Sequence, residues 1–253
     1  MDFSLSEERK MLQETIARFF ENHYDNINKH HINGNLPNGF DNNFWQESAD
    51  LGIISALVSP DFGGLGGTGE DISLVFELIG KSLCVEPFLS TGVLSSTALS
   101  CINEPKTKIL SEIIDGKLIV SFAHSEMNSR YEESHVETKA TSSPEGWIIN
   151  GNKSFVLNGD TANKIIVSAR ISGEINDKNG IGIFLVDKDH IKTRSYNTID
   201  GYRAAELEFT NSIGELIAKD EEALKCIIKT NAAGALALSA EALGIMQICF
   251  NTT

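Results

Sequence analysis

The sequence predicts an α+β fold in which helices and strands are segregated, and three observations carry that expectation. Apolar residues recur at helical spacing through residues 1–116, change to alternation near Lys117, and return to a helical pattern after Ala218. The 253-residue chain therefore divides into a helical part over 1–116, a β part over 117–218 and a helical part over 219–253. No alternation of strands and helices runs through it, which argues against a βαβ fold.

Ser4 and Glu7 have the spacing of a capping box, in which each side chain satisfies the other residue's backbone N–H. Leu12, Ile16, Phe19 and Phe20 then share one helical face, so an amphipathic helix is expected to open the chain. Asn33 to Asn43 reads as a loop, after which Phe44, Trp45, Ser48 and Leu51 mark a short helix stopped by Gly52. Ser59 to Gly69 is a second break. Ile72, Val75, Leu78 and Ile79 fit the next helix, and the small residues from Leu89 to Ser100 suit one that packs closely. Pro105 fits the first position of a further helix, which Gly116 ends.

Strand-like runs follow at Leu118–Ser125, Glu137–Thr141, Gly146–Asn150, Lys153–Leu157, Ile165–Ala169, Ile181–Val186 and Glu206–Phe209. Asn150-Gly151 stands between two of them as a tight-hairpin signal. The Ala- and Leu-rich remainder is helical. Its apolar run from Ala232 to Phe250 carries Glu241 and is read as a buried helix, short of the roughly 20 apolar residues of a membrane span.

A formal charge of −14 argues against nucleic acid and anionic membranes as partners. The opening MDFSLSEERK is acidic where a signal peptide is basic and then apolar, so a cytoplasmic protein is expected. Cys84, Cys101, Cys226 and Cys249 are scattered in apolar surroundings without metal-ligand spacing and read as buried free thiols. His30 and His31 begin a Gly/Asn/Pro-rich loop, and no metal is expected.

Gly64-Leu65-Gly66-Gly67-Thr68-Gly69 matches G-x-G-x-x-G before a helix, with Glu86 at the distance of a ribose-binding acid. Pro60-Asp61 breaks the preceding apolar run and no second strand follows the helix, so a structural loop is the better reading. Phe122, His124 and Ser125 end an alternating strand, where free backbone N–H groups and a hydroxyl suit the edge of a flat polar ring, although many strand ends look alike. Phe155 either stacks on such a ring or belongs to the core. Arg130 beside Tyr131 either meets a carboxylate or phosphate or is a solvated loop arginine. No G-x-S-x-G elbow supports a serine nucleophile.

Together these stretches resemble the acyl-CoA dehydrogenases. Phe3 to Glu8 is similar to that family's opening helix, Pro60-Asp61-Phe62-Gly63-Gly64 to its interhelical glycine loop, and Ser121 to Glu126 to the strand that meets the flavin. Gly146 to Gly159, GWIINGNKSFVLNG, resembles the hairpin that closes the flavin site. Within the family, Ser125-Glu126, Arg130-Tyr131 and Thr198 to Glu206 are most similar to the small subunits of pimeloyl-CoA dehydrogenases, which pair with a larger homologue.

The resemblance implies an N-terminal all-helical domain over 1–116, a middle antiparallel β-barrel or sandwich domain over 117–218, and over 219–253 the first helix of a truncated C-terminal helical bundle. It implies FAD as cofactor and an acyl-CoA thioester as substrate. Phe122, His124 and Ser125 would contact the flavin, Phe155 would cover its ring, and Leu157 stands where many relatives place a threonine. Met127 to Tyr131 replaces the common glycine-rich loop at the thioester mouth, leaving Arg130 and Tyr131 as the substrate-contact candidates there. The family's carboxylate base has no counterpart: Lys229 to Gly234, where a minority of members carry it, holds no acid, and Glu241 reads as a hydrogen-bonded helical glutamate. The Arg-x-x-Phe-Gly region that contacts a neighbouring subunit's FAD is also missing. The chain alone is thus expected to be inactive or nearly so, to form homo-oligomers or to pair with a full-length homologue, and to share electron-transferring flavoprotein as electron acceptor.

Overall fold

A computed structural model of the protein describes residues 5–24 and 36–253. Helix α1 (Glu7–His23) is capped by Ser6, whose hydroxyl accepts from Arg9 N at 3.3 Å. Ser4, the expected cap, lies outside the described residues, as do His30 and His31. Ile16 and Phe20 bury one face of α1 against α2 (Asn42–Asp50), with Phe20 and Phe44 stacked at 5.7 Å. Asp41 caps α2 by accepting from Asn43 N and Phe44 N. A Thr68–Asp71 capping box starts α3 (Gly69–Ser82), and Arg9 donates to Asp71 at 2.8 Å, fixing α1 across its first turn.

The small-residue run forms a π-helical stretch over Phe88–Ser95 that continues as α4 (Ser96–Ser100). Helix α5 is Thr107–Ile114, so Pro105 stands ahead of the helix and outside its first turn, a correction to the expected start. Trp45 Nε1 donates to Gly116 O at 3.1 Å and ties α2 to the point where the helices give way to strands.

Seven strands follow: β1 (Val120–Ala123), β2 (Lys139–Ser143), β3 (Gly146–Leu157), β4 (Lys164–Arg170), β5 (Ile181–Asp187), β6 (Lys192–Asn197) and β7 (Arg203–Lys219). The sheet is mixed where a purely antiparallel one was expected, since β1 runs parallel to β4 and β2 touches β4 in parallel at Lys139 and Arg170. Its pairings run β4–β2–β3–β7–β5 and return to β4. The β2–β3 hairpin lies between β1 and β4 in the chain, so β4 returns in the direction of β1 without a tight turn between them.

Gly146–Asn150 and Lys153–Leu157 are one strand, and Asn150-Gly151 is not a hairpin turn. The tight turn is Pro144-Glu145, with Ser143 paired to Gly146. Asn150 instead sits at a register shift against β7, where its side-chain oxygen accepts from Asn211 N at 2.8 Å. Gly151, at φ +148°, lies where a Cβ would stand 2.7 Å from Thr138 Cα. Only glycine fits there, for close approach and not for a turn. Strand β6, polar and largely exposed, carries no alternating signal, and pairing with the 17-residue β7 forms it.

Helix α6 (Asp220–Thr252) buries one stripe: Ala223, Cys226, Ile227, Thr230, Gly234, Ala237, Ala240, Glu241 and Gly244. A Cβ on Gly80 of α3 would meet Glu241 O at 2.1 Å, and one on Gly244 would meet Glu77 O at 2.1 Å, so the α3/α6 seam is closed by glycines on both helices. By length and composition α6 is apolar enough to cross a membrane, where Glu241 had suggested it falls short. In the fold it is a core helix on one side only, and Leu238, Leu243, Met246 and Phe250 stay exposed on the other.

Candidate functional site at the ends of β1 and β3

The fully buried β1 is clamped at both ends. Thr91 and Ser95 of the π-helical stretch donate to Val120 O at 2.9 and 2.8 Å, while Ser121 Oγ donates to Leu157 O at 2.8 Å and Ser154 N to Ser125 O at 2.9 Å. The last residues of β3 are thereby held beside the exit of β1. Between them lies a cavity of about 140 Å³, lined by Phe122, His124, Ser125, Ser154, Phe155, Leu157, Leu94 of the π-helical stretch and Asn231 of α6. All five residues the sequence nominated for a cofactor meet there. At that volume, below the roughly 300–1,000 Å³ of pockets that enclose a ligand, it does not by itself enclose one.

Phe155 is not core. It sits at the register shift between Lys153 and Val156 with φ +54° and stays 56% exposed beside the cavity. Ser125 is exposed at the end of β1, and its hydroxyl takes no hydrogen bond among the described residues. Arg130 and Tyr131 do not line the cavity. They occupy an exposed turn with φ +52° and +131°.

Beneath the wall is a polar network that sequence reasoning missed. Lys153, fully buried, spends its three N–H donors on Glu126 Oε1 (2.7 Å), His124 O (2.9 Å) and Ser168 Oγ (3.0 Å). Glu126 also accepts from Glu137 N at 2.6 Å and Thr138 N at 3.0 Å. Burial raises the Glu126 carboxyl, but Lys153 and the two backbone donors outweigh it and hold the group below its ordinary value. Burial, opposed by Glu126, lowers Lys153.

His124 Nδ1 lies 2.8 Å from Ser168 Oγ. Because that oxygen already accepts from Lys153, its own proton is free to go to Nδ1, which leaves Nε2 as the N–H of a neutral ring. Burial and the nearby Lys153 cation pull His124 down to about 3, so the ring is neutral at physiological pH. The one sequence signal for this network was the lysine inside the apolar alternation of β3, since a charge on a buried strand face demands a partner.

Other candidates fall away. The N–H groups of Gly64, Leu65, Gly66 and Gly67 donate to Ser59, Ser55, Val58 and Ala56 carbonyls, so the G-x-G-x-x-G loop is satisfied within the fold. Two larger clefts of about 720 Å³, one at Arg9 and Leu236 and one at Tyr24 and Ile248, lie between helices and are lined by none of the five nominated residues. Glu126, His135 and Glu137 offer three ligand atoms within 4.8 Å, but Lys153 already neutralises Glu126 and His135 Nε2 sits 3.0 Å from Glu137 Oε1. The Glu241 backbone packs in the α3/α6 seam, while its carboxyl turns to Tyr202, whose OH donates to Oε1 at 3.0 Å, and Oε2 has no partner among the described residues.

Residues 6–117 match the N-terminal domain of acyl-CoA dehydrogenases and residues 121–212 match their middle domain. Mitochondrial isovaleryl-CoA dehydrogenase of Pongo abelii is 30% identical over 198 residues, covering 73% of this chain and 44% of that protein. Short-chain specific acyl-CoA dehydrogenase of Clostridium acetobutylicum is 25% identical over 265 residues, covering 99% of this chain and 68% of its own. Among solved structures, the FAD complex of PigA superposes with a TM-score of 0.81 at 22% identity, over all of this chain and 68% of the other, a likeness of fold. The chain thus spans between 44% and 69% of the first relatives it matches. Two adjoining domain matches in family order, on a fold that brings the nominated residues to one wall, place this chain in the acyl-CoA dehydrogenase family, of which it carries the N-terminal and middle domains.

Proposed function

We propose that this chain forms the flavin-facing wall of an acyl-CoA dehydrogenase site and binds FAD there. The observation that carries the reading is the convergence of Phe122, His124, Ser125, Phe155 and Leu157 on one cavity. The donor set fits the group: a free hydroxyl at Ser125, a neutral imidazole N–H at His124 and a half-exposed aromatic ring at Phe155 suit the polar edge and flat face of an isoalloxazine. When bound, FAD supplies the acceptor for a hydride from the β carbon of an acyl thioester whose α proton goes to a carboxylate base. Leu157 offers no hydroxyl on its part of the wall, and Arg130 and Tyr131 meet substrate only if the exposed turn faces it in the assembled enzyme.

At this cavity α6 presents Asn231, whose amide takes up no proton at neutral pH, and Glu241 lies off the cavity with its carboxyl on Tyr202. We infer that the base comes from polypeptide outside residues 1–253, and that a full-length homologue supplies it. This chain then acts as the non-catalytic partner of a full-length homologue, the role suggested by the resemblance of Ser125-Glu126, Arg130-Tyr131 and Thr198 to Glu206 to the small subunits of pimeloyl-CoA dehydrogenases. Electron-transferring flavoprotein would draw electrons from the assembled site.

The test is the absorption spectrum of the purified chain after incubation with FAD and desalting, alone and with a full-length homologue. Flavin bands are expected, bleached by acyl-CoA only when the homologue is present. Failure to retain flavin in either state would sink the cofactor reading, and bleaching by the chain alone would sink the partner reading.

A further inference from the structure

Two thiols outside the cavity converge on a single carbonyl. Cys101 caps the C-terminus of α4 and Cys226 lies on the buried stripe of α6. Their sulfurs approach Ala98 O at 3.7 and 3.5 Å respectively, from elements 125 positions apart in sequence. The same junction is fixed a second time, where Asn103 N donates to Glu222 Oε1 at 2.5 Å. Cys101 is partly exposed, whereas Cys226 is buried.

The chemistry of the two sulfurs is unequal. The neighbouring Cys226 sulfur and the Lys229 ammonium hold the Cys101 thiol below its ordinary value despite burial, and the neighbouring Cys101 sulfur together with burial pushes Cys226 up. The partly exposed Cys101 is therefore the better thiolate, and the buried Cys226, whose S–H reaches Ala98 O, keeps its proton. That is the arrangement of an attacking cysteine with a resolving cysteine behind it. The other two thiols lack it: Cys84 donates to Glu86 Oε2 at 2.9 Å in the core, and Cys249 stands exposed near the end of α6.

We propose that Cys101 and Cys226 form an oxidation site for hydroperoxides, closing a disulfide between the N-terminal helices and α6. The Cys101 thiolate attacks the peroxide oxygen, giving a sulfenic acid and releasing hydroxide or alkoxide. The Cys226 thiol then displaces the sulfenic hydroxyl as water, its proton leaving with that water, and the two sulfurs share the new bond. Two thiols are oxidised, one peroxide is reduced, and a thiol reductant reverses the change. Asn231 lies little more than one helical turn beyond Cys226 and lines the cavity, so the bond would lock α6 against the wall it helps to form.

The full chain is treated with hydrogen peroxide until Cys249, the exposed reference thiol, has been consumed. It is then quenched, alkylated under denaturing non-reducing conditions, digested and analysed by mass spectrometry. The expected result is a linked peptide pair containing Cys101 and Cys226, lighter by two hydrogen atoms than the separate peptides, with Cys84 still alkylated. In C226S the expected product is a dimedone adduct at Cys101, and in C101S Cys226 stays alkylatable. Recovery of both Cys101 and Cys226 as alkylated residues after Cys249 is oxidised would overturn the proposal. So would a linkage of either to Cys249.

Discussion

Two buried carboxylates at two junctions of this molecule have opposite fates. Glu126, under the cavity wall, accepts from Lys153 and two backbone amides and is held ionised. Glu241, in the α3/α6 seam, keeps one oxygen on Tyr202, leaves the other without a partner among the described residues, and is pushed up by burial. The first belongs to a network that fixes the shape of a strand end, and the second hangs from a helix whose backbone is set in a seam made by glycines. A satisfied buried charge holds a geometry for use, whereas a half-satisfied one rides on packing that other residues supply.

The largest expected effect that tests this contrast is on Lys153. Lys153→Met strands the Glu126 carboxylate, and urea unfolding should show a loss of about 3–5 kcal/mol, of which Lys153→Met with Glu126→Gln recovers a large part. A loss below about 1 kcal/mol would show the pair to be dispensable. Next comes the seam: Gly80→Ala places a methyl group 2.1 Å from Glu241 O, and the two helices must part at a cost of roughly 1–3 kcal/mol. An unchanged unfolding midpoint would mean that α6 docks by another face.

The pH arm is smaller. The folded value of His124, about 3, lies below its unfolded value near 6.5, so its contribution is complete above about pH 6.5 and falls away as pH drops toward 3, by up to ~1.4 kcal/mol per pH unit. Glu126, also lowered, weakens the fold in the same acid direction. His124→Gln should therefore flatten, without abolishing, the acid limb of a stability profile, and an identical slope in both proteins would break the neutral-ring assignment. The smallest effect on stability belongs to Phe155→Ala. Being 56% exposed, it should shift unfolding by no more than about 0.5 kcal/mol while weakening FAD retention, and a large stability loss would return Phe155 to the core.

Much of the fold was legible because its signals are local. The periodic helices and the alternating runs from Leu118 onward all correspond to observed elements, and Phe122, His124, Ser125, Phe155 and Leu157 were nominated before any geometry placed them on one wall. What escaped depended on distant partners. Strand β6 exists because β7 pairs with it, the bulge at Asn150 because Asn211 holds it, and the Lys153 network because Lys153 on β3, His124 and Glu126 just past β1, and Ser168 on β4 come together from three separate segments. Asn150-Gly151 misled for the same reason, since a glycine needed for close approach to Thr138 carries the same letters as one needed for a turn.

By itself the sequence determined the segregated order of helices and strands, the family and the residues of the candidate wall, because hydrophobic period and short motifs are written in neighbouring positions. Only the tertiary structure decided that Phe155 faces outward, that burial keeps His124 neutral, that Arg130 and Tyr131 stay off the cavity, and that Cys101 and Cys226 converge on Ala98 O. Each of these turns on contacts between segments tens of residues apart, and burial, protonation and thiol chemistry are properties of such contacts and not of any single stretch of chain.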